Sequence, residues 1–308
     1  MSRPRAVVFG YHDVADRCLR ALVSGGVDVA LLVTHRDDPA EERWFACAAD
    51  TAREHGIEVS YQSENDSPGL QQRIAAIAPD FIFSFYYRAL LSDAMLGLAR
   101  RGALNMHGSL LPDYRGRAPV NWAVLNGETR TGATLHYMAA RADAGDIVDQ
   151  LAVPILEDDD ARIVMHKVTV AAETVLWRSL PGLIDGTAPR SRQDLSKGRY
   201  FGRRRPEDGR IDWRRSAREI HNLIRAVAPP FPGAFCELRG ERLWIHRSRV
   251  VQNAATRGEP QLHAEGGRCL ARCGDGHWLE VLAAADSRGP LDLSRWAAEL
   301  ANHPVALT

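Results

Sequence analysis

Asn105 and His107 stand two residues apart in the stretch Asn105-Met106-His107-Gly108-Ser109-Leu110-Leu111-Pro112, straight after the apolar approach Gly102-Ala103-Leu104. Extended backbone turns residues i and i+2 to one face, so an amide and an imidazole converge while Met106 packs on the opposite side. A neutral imidazole takes or gives a proton near pH 7, and an amide N–H stabilises an oxyanion. This is the composition of a reaction centre. Asp143, in the turn Arg141-Ala142-Asp143-Ala144-Gly145-Asp146, adds a carboxylate. If it reaches His107 it raises the imidazole's pKa and fixes its orientation; otherwise it is one more turn aspartate. Ser109 lacks the Gly-x-Ser-x-Gly setting of an activated nucleophile, so a capping or turn role is preferred. Arg115 and Arg117 either anchor an anion through their guanidinium forks or decorate a solvated loop.

The elements that must carry these residues alternate. Arg5–Gly10 reads as a buried strand, Val14 to Gly25 as a helix, and Asp28 to Thr34 as a strand covered on both faces. A helix over Glu42 to His55, a strand at Ile57 to Tyr61, a helix over Leu70 to Ala78 and a strand at Asp80 to Tyr86 follow. A helix near Ser92 to Arg100 then leads into the strand bearing Asn105 and His107. This order predicts an α/β fold: a doubly wound, mostly parallel, Rossmann-like sheet. Such sheets bind ligands at the carboxyl ends of their strands. Tyr11-His12-Asp13, Thr34 to Asp38, Tyr86-Tyr87-Arg88 and Asn105 to His107 all fall there.

Two further strands (132–138 and 147–155) flank the Asp143 turn, and Asp160 to Leu183 reads as a long helix. The polar stretch that follows reads as a linker. After it, a helix over Ala217 to Val227 and short strands such as Ala234 to Leu238, Leu243 to Ser248 and His277 to Leu282 predict a smaller, mostly β domain. The expected boundaries are 1–190, a linker at 191–205, and 206–308.

With 39 basic and 39 acidic residues among 308, the chain is not a globally basic nucleic-acid binder. The arginine-rich run around Arg199 to Arg218 is diluted by Glu207, Asp208 and Asp212, and reads as a solvated face. No apolar run spans a bilayer, and the apolar stretch after the basic start is too short for a secretory leader. A cytoplasmic location is expected. Five scattered cysteines fit reduced thiols rather than a disulfide framework or a metal site. No Gly-x-Gly-x-x-Gly follows the first strand, so NAD is not expected, and the cysteine spacings give no reason to expect a metal.

Three spaced elements together resemble the 10-formyltetrahydrofolate-dependent formyltransferase family. They are Asn105-x-His107-x-Ser109-Leu110-Leu111-Pro112, then Tyr114-Arg115-Gly116-x-Ala118-Pro119, then Asp143-Ala144-Gly145. The resemblance implies a formyltransferase domain followed by a small OB-like C-terminal domain. It implies 10-formyltetrahydrofolate as co-substrate and Asn105, His107 and Asp143 as catalytic residues. Folate contacts are implied at Ala89, Leu90, Leu91 and Arg117 and along Ala139, Ala140, Arg141, Ala142 and Asp143. Tyr11, His12 and Arg115 are expected on the side of a nucleotide-sugar acceptor.

Within the family, Tyr11-His12-Asp13, Phe83 to Arg88, Arg115-Gly116-Arg117-Ala118-Pro119 and Phe201-Gly202-Arg203-Arg204 look most like members that formylate UDP-4-amino-4-deoxy-L-arabinose in lipid A modification and polymyxin resistance. Many of those carry a fused NAD-dependent decarboxylase. With this chain ending at Thr308, formyl transfer alone is expected. The methionyl-tRNA members resemble one another in a basic loop where this chain reads Asp37-Asp38-Pro39-Ala40-Glu41-Glu42-Arg43, poorly suited to a polyanion. Other amino-sugar acceptors and methionyl-tRNA remain alternatives. Behind them stand a folate-dependent hydrolase, marked by formate release without an amine, and a non-catalytic binding protein, marked by inertness.

Overall fold

The computed structural model describes residues 3–37, 39, 43–61, 67–251 and 255–307. Most of the acidic stretch expected to repel tRNA (Asp38 and Ala40 to Glu42) lies outside them, as do Met1 and Ser2. The chain divides into two compact units: residues 1–119, 130–154 and 166–202, and residues 120–129, 155–165 and 203–308.

The first unit holds β1 (Arg5–Gly10), α1 (His12–Ser24), β2 (Asp28–Thr34), α2 (Ala48–Glu54), β3 (Glu58–Tyr61), α3 (Pro68–Ile77), β4 (Phe81–Phe85), α4 (Asp93–Leu96), β5 (Gly102–His107) and β6 (Arg115–Gly116). After α5 (Pro119–Leu125) come β7 (Arg130–Tyr137), β8 (Ile147–Pro154), α6 (Ala161–Asp185) and β9 (Tyr200–Phe201). The main sheet runs β3-β2-β1-β4-β5-β7-β8. Its first five strands are parallel, and β7 and β8 join antiparallel. The α/β, mostly parallel reading therefore holds. β4 is buried at every residue because helices cover both sheet faces, which is why Phe-Ile-Phe-Ser-Phe carries no polar alternation.

Helix limits follow local chemistry. α3 starts where Ser67 Oγ accepts the Leu70 N–H, with Pro68 in the first turn, and stops at Ala78, whose φ is +50°, just before Pro79. The helices expected over Glu42 to His55 and near Ser92 to Arg100 are shorter: α2 begins at Ala48, and α4 ends at Leu96. Leu98 and Ala99 still pack on the core cluster of Val7, Phe9, Ile82 and Met95 without continuing the helix.

The second unit is mostly antiparallel β: β10 (Ala234–Leu238), β11 (Glu241–Val251), β12 (Gln261–Glu265), β13 (Arg268–Arg272), β14 (Trp278–Asp286), β15 (Gly289–Pro290) and β16 (Val305–Ala306), in the order β10-β11-β14-β13-β12-β16 with β15 beside β14. Besides α5 past Pro119 and the first residues of α6, it includes two further α-helices. α7 (Ala217–Val227) opens on a reciprocal cap in which Ser216 Oγ and the Glu219 carboxylate each accept the other's backbone N–H. α8 (Leu293–Asn302) is capped by Asp292. Arginines of the 199–218 run pair with local carboxylates, among them Arg214 with Asp212 and Arg215 with Glu219, as a solvated face does. All five cysteines are free thiols, and burial pushes Cys236 up to about 11. No helix among the described residues is long and apolar enough to cross a membrane.

Candidate active site

β4 lies between β1 and β5, so the loops leaving β1, β4 and β5 emerge side by side at their carboxyl ends, next to the point where the strand order reverses. Asn105 and His107 share one face of β5, and Met106 is fully buried on the other. β7 supplies the next layer. Its register sets His136 opposite Asn105 and Thr134 opposite His107.

Nothing in the sequence signals His136; only the antiparallel register shows its partner. Its Nδ1 lies 2.8 Å from the Tyr137 carbonyl, which can only accept, so Nδ1 carries the hydrogen. Nε2 is then the acceptor for Asn105 Nδ2 at 3.2 Å. Burial pushes the His136 pKa down to about 4, which keeps the ring neutral and the acceptor available. One Asn105 N–H is thereby fixed, which sets the direction of the amide's other N–H.

His107 is buried, and its Nε2 donates to the Tyr114 carbonyl at 2.8 Å. The neutral ring's bare nitrogen is therefore Nδ1, which faces Asp143 Oδ1 at 3.6 Å. The same carboxylate oxygen lies 3.8 Å from His136 Nε2, and Oδ2 accepts the Gly116 N–H at 2.9 Å. Asn105 and His107 of β5 and the sequence-distant Asp143 are thus brought together, with His136 beside them.

The loop after His107 is tied down by its own polar groups. Ser109 Oγ donates to the Asp113 carbonyl at 2.5 Å, and Thr134 Oγ1 donates to the Ser109 carbonyl at 2.6 Å. Ser109 is a turn residue here, not a free nucleophile. Non-glycine residues with φ in the left-handed region gather around the site: His12 (+71°), Tyr86 (+55°), Tyr114 (+55°), Ala118 (+50°) and Asp143 (+54°). Such backbone persists only where its surroundings hold it, and it concentrates at functional sites. Gly116, at φ +102°, occupies a conformation that side chains rarely adopt.

The other expected site residues fall into three groups. Ala89, Leu90 and Leu91 follow β4, and Ala139 to Asp143 join β7 to β8. Tyr87, Leu91 and Met138 pack on one core cluster, so residues of both loops border the same apolar patch. Leu90 stands 74% exposed, an apolar side chain presented to solvent beside Tyr87 and Leu91, and Arg117 and Arg141 are exposed. At the turn after β1, the Tyr11 hydroxyl donates to Asp37 Oδ1 at 2.9 Å. The His12 ring stacks on Phe45 with centroids 4.2 Å apart and meets Trp44 edge-on, and its buried Nδ1 has no hydrogen-bond partner among the described residues, with Asp13 Oδ2 3.9 Å away. Arg115 corrects the anchor expectation. It is only 3% exposed, and Nη2 donates to the carbonyls of Leu195 and Gly198, so its guanidinium ties the polypeptide together rather than facing a ligand. Among the described residues, no group of three or more His, Cys, Asp or Glu side chains forms a potential metal site.

A family model described as formyl transferase matches residues 5–180, and its C-terminal domain model matches residues 204–300. The chain belongs to the formyl transferase family and is an enzyme of that class.

Among solved structures, it resembles the N-formyltransferase from Helicobacter canadensis in complex with folinic acid and dTDP-3-aminofucose. The two are 20% identical over 90% of this chain and 98% of that one, with a TM-score of 0.72. It also resembles WlaRD, a sugar 3N-formyltransferase crystallised in the presence of dTDP and 5-N-formyl-THF, at 18% identity over 95% and 99% with a TM-score of 0.71. A sugar N-formyltransferase from a Shewanella species shares 17% identity over 81% and 99%, with a TM-score of 0.63. At these identities the likeness establishes the fold.

Proposed function

We propose that this enzyme transfers the formyl group of 10-formyltetrahydrofolate to the 4-amino group of UDP-4-amino-4-deoxy-L-arabinose. The observation that carries formyl transfer is the convergence of Asn105, His107, His136 and Asp143 at the strand ends. The choice of acceptor rests on the motifs Tyr11-His12-Asp13, Phe83 to Arg88 and Phe201 to Arg204. The aromatic surroundings of His12 suit the apolar face of a sugar, and the fold shared with sugar N-formyltransferases supports an amino-sugar nucleotide.

The residues present fit a folate. Leu90 offers apolar surface to a flat ring, and Ala139 to Asp143 lead up to the carboxylate that faces His107. The bound folate supplies an activated formyl group. The acceptor amine attacks the formyl carbon as the free base. The carbonyl oxygen takes up negative charge, and the free N–H of Asn105 donates to it; such a donor is commonly worth about 10²–10³ in rate. The amine proton passes to Nδ1 of His107, the nitrogen not engaged by Tyr114. Asp143 faces that nitrogen and stabilises the imidazolium. The same proton then leaves with the departing folate nitrogen.

The test is a panel of UDP- and dTDP-linked 4-amino and 3-amino sugars and initiator methionyl-tRNA, each offered with 10-formyltetrahydrofolate while tetrahydrofolate release is followed. Highest kcat/KM for the UDP-4-amino arabinose is expected. Turnover only with another acceptor overturns the choice of sugar, and formate release without any acceptor overturns transfer.

A further inference from the structure

The polar segment after α6 composes part of the site. Arg115 N–H donates to the Arg199 carbonyl and Arg117 N–H to the Phe201 carbonyl, β6 pairs with β9, and the Phe201 ring stacks on Tyr114 at 4.8 Å. Tyr114 is the residue whose carbonyl holds His107. Within this segment Gln193 is only 8% exposed. Its Nε2 donates to the carbonyl of Asp143 at 3.1 Å and to the carbonyl of Gly145 at 2.6 Å. Carbonyl oxygens only accept, so the nitrogen must point to this turn, and both of its N–H bonds are spent there. The amide oxygen is buried without a partner among the described residues. An amide that leaves its oxygen unmatched while committing both donors to one turn is oriented by that turn.

We propose that Gln193 is a positioning residue for formyl transfer. By gripping the carbonyls on either side of Ala144 it holds Asp143 at its positive φ. That conformation aims one carboxylate oxygen at His107 and His136 and the other at the Gly116 N–H. Gln193 itself touches none of the reacting groups. Its kinetic consequence rests on the reading given under Proposed function; its structural consequence does not.

The test uses the full chain with Gln193→Leu, which keeps much of the volume and removes both donors, and Gln193→Glu, which sets an acceptor against two carbonyls. Two quantities are measured: hydrogen exchange at the Gly116 amide, and kcat and KM for both substrates. In either variant, Gly116 exchange is expected to speed up at least about tenfold. A slight misplacement of a catalytic group can cost about 10²-fold, so kcat is expected to fall about 10- to 100-fold while both KM values stay within about threefold. With Asp143→Asn already present, Gln193→Leu is expected to lower kcat by less than about twofold further, because residues acting through one group do not add.

An equal fall in both backgrounds marks a merely structural role and overturns the proposal. So does a folded variant with wild-type kcat, or unchanged protection at Gly116. If Gln193→Leu loses its melting transition, Gln193→Glu carries the same comparison. If the wild-type chain transfers no formyl group to any acceptor, the proposed function fails, and Gly116 exchange alone still decides the clamp.

Discussion

Asp143→Asn is the sharpest perturbation the site offers. Asparagine tolerates the left-handed backbone at least as well as aspartate, and its oxygen can still accept the Gly116 N–H. What disappears is one negative charge 3.6 Å from Nδ1 of His107. The two side chains are only 7% and 14% exposed, so solvent screens the pair weakly. A unit charge pair at that separation in an effective dielectric of about 20 is worth about 4.6 kcal/mol, or roughly 10³-fold in rate if the imidazolium forms before or at the transition state. Single-turnover formation of tetrahydrofolate, with kcat and KM measured separately, reads the effect. A fall near 10³ in kcat with little change in KM is expected. Asp143→Ala also strips the Gly116 N–H of its acceptor, a loss of about 1–3 kcal/mol for a buried donor, and so lowers the melting temperature as well. If Asp143→Asn keeps kcat within about threefold of wild type, no positive charge accumulates on His107 in the slow step, and the assigned proton path is wrong.

Asn105→Ala removes the free donor and is expected to lower kcat by about 10²–10³ while leaving KM nearly unchanged; steady-state kinetics with both substrates varied separate the two. Arg115→Lys cannot reach both the Leu195 and Gly198 carbonyls, so kcat and thermal stability should fall while acceptor KM holds; a selective rise in acceptor KM restores the anchor reading. Burial holds His12 and His136 to about 4, against 6.5 for an ordinary histidine. An unfolded chain therefore binds the extra protons first as pH falls below about 6.5, and stability present above that value drains away toward pH 4. The loss reaches up to about 2 kcal/mol per ring at pH 5. Guanidinium midpoints at pH 7.5, 6 and 5 should decline in that order, and a flat series contradicts the burial argument.

The strands announced themselves through composition. Asp28 to Thr34 and Phe81 to Phe85 are apolar because they are covered twice, and that pattern survives into the fold unchanged. The strand-end positions of Tyr11, Tyr86 and His107 followed from the alternation alone. Two things stayed hidden. His136 acts through its register against β5, and register between antiparallel strands leaves no local mark in a sequence. The 191–201 segment looks like a connection because its residues are polar. Its contribution is made by backbone carbonyls and one amide, groups that hydropathy does not see. The overlong helix at Ser92 to Arg100 arose for the opposite reason: apolar Leu98 fills the core from irregular backbone, while ahead of α2 Trp44 and Phe45 turn to the His12 ring instead of continuing a helix.

The stacking of Phe201 on Tyr114 bears on how this protein is cut into pieces. The family match to the first domain stops at residue 180, yet the wall that braces the histidine's support runs to Phe201. A fragment ending near 190 would keep Asn105, His107, His136 and Asp143 and lose the girder behind them, so it should fold around its sheet and turn over poorly. The smallest competent fragment must extend past Gly198, whose α-carbon packs so tightly on the Pro112 carbonyl that even a methyl group would collide with it.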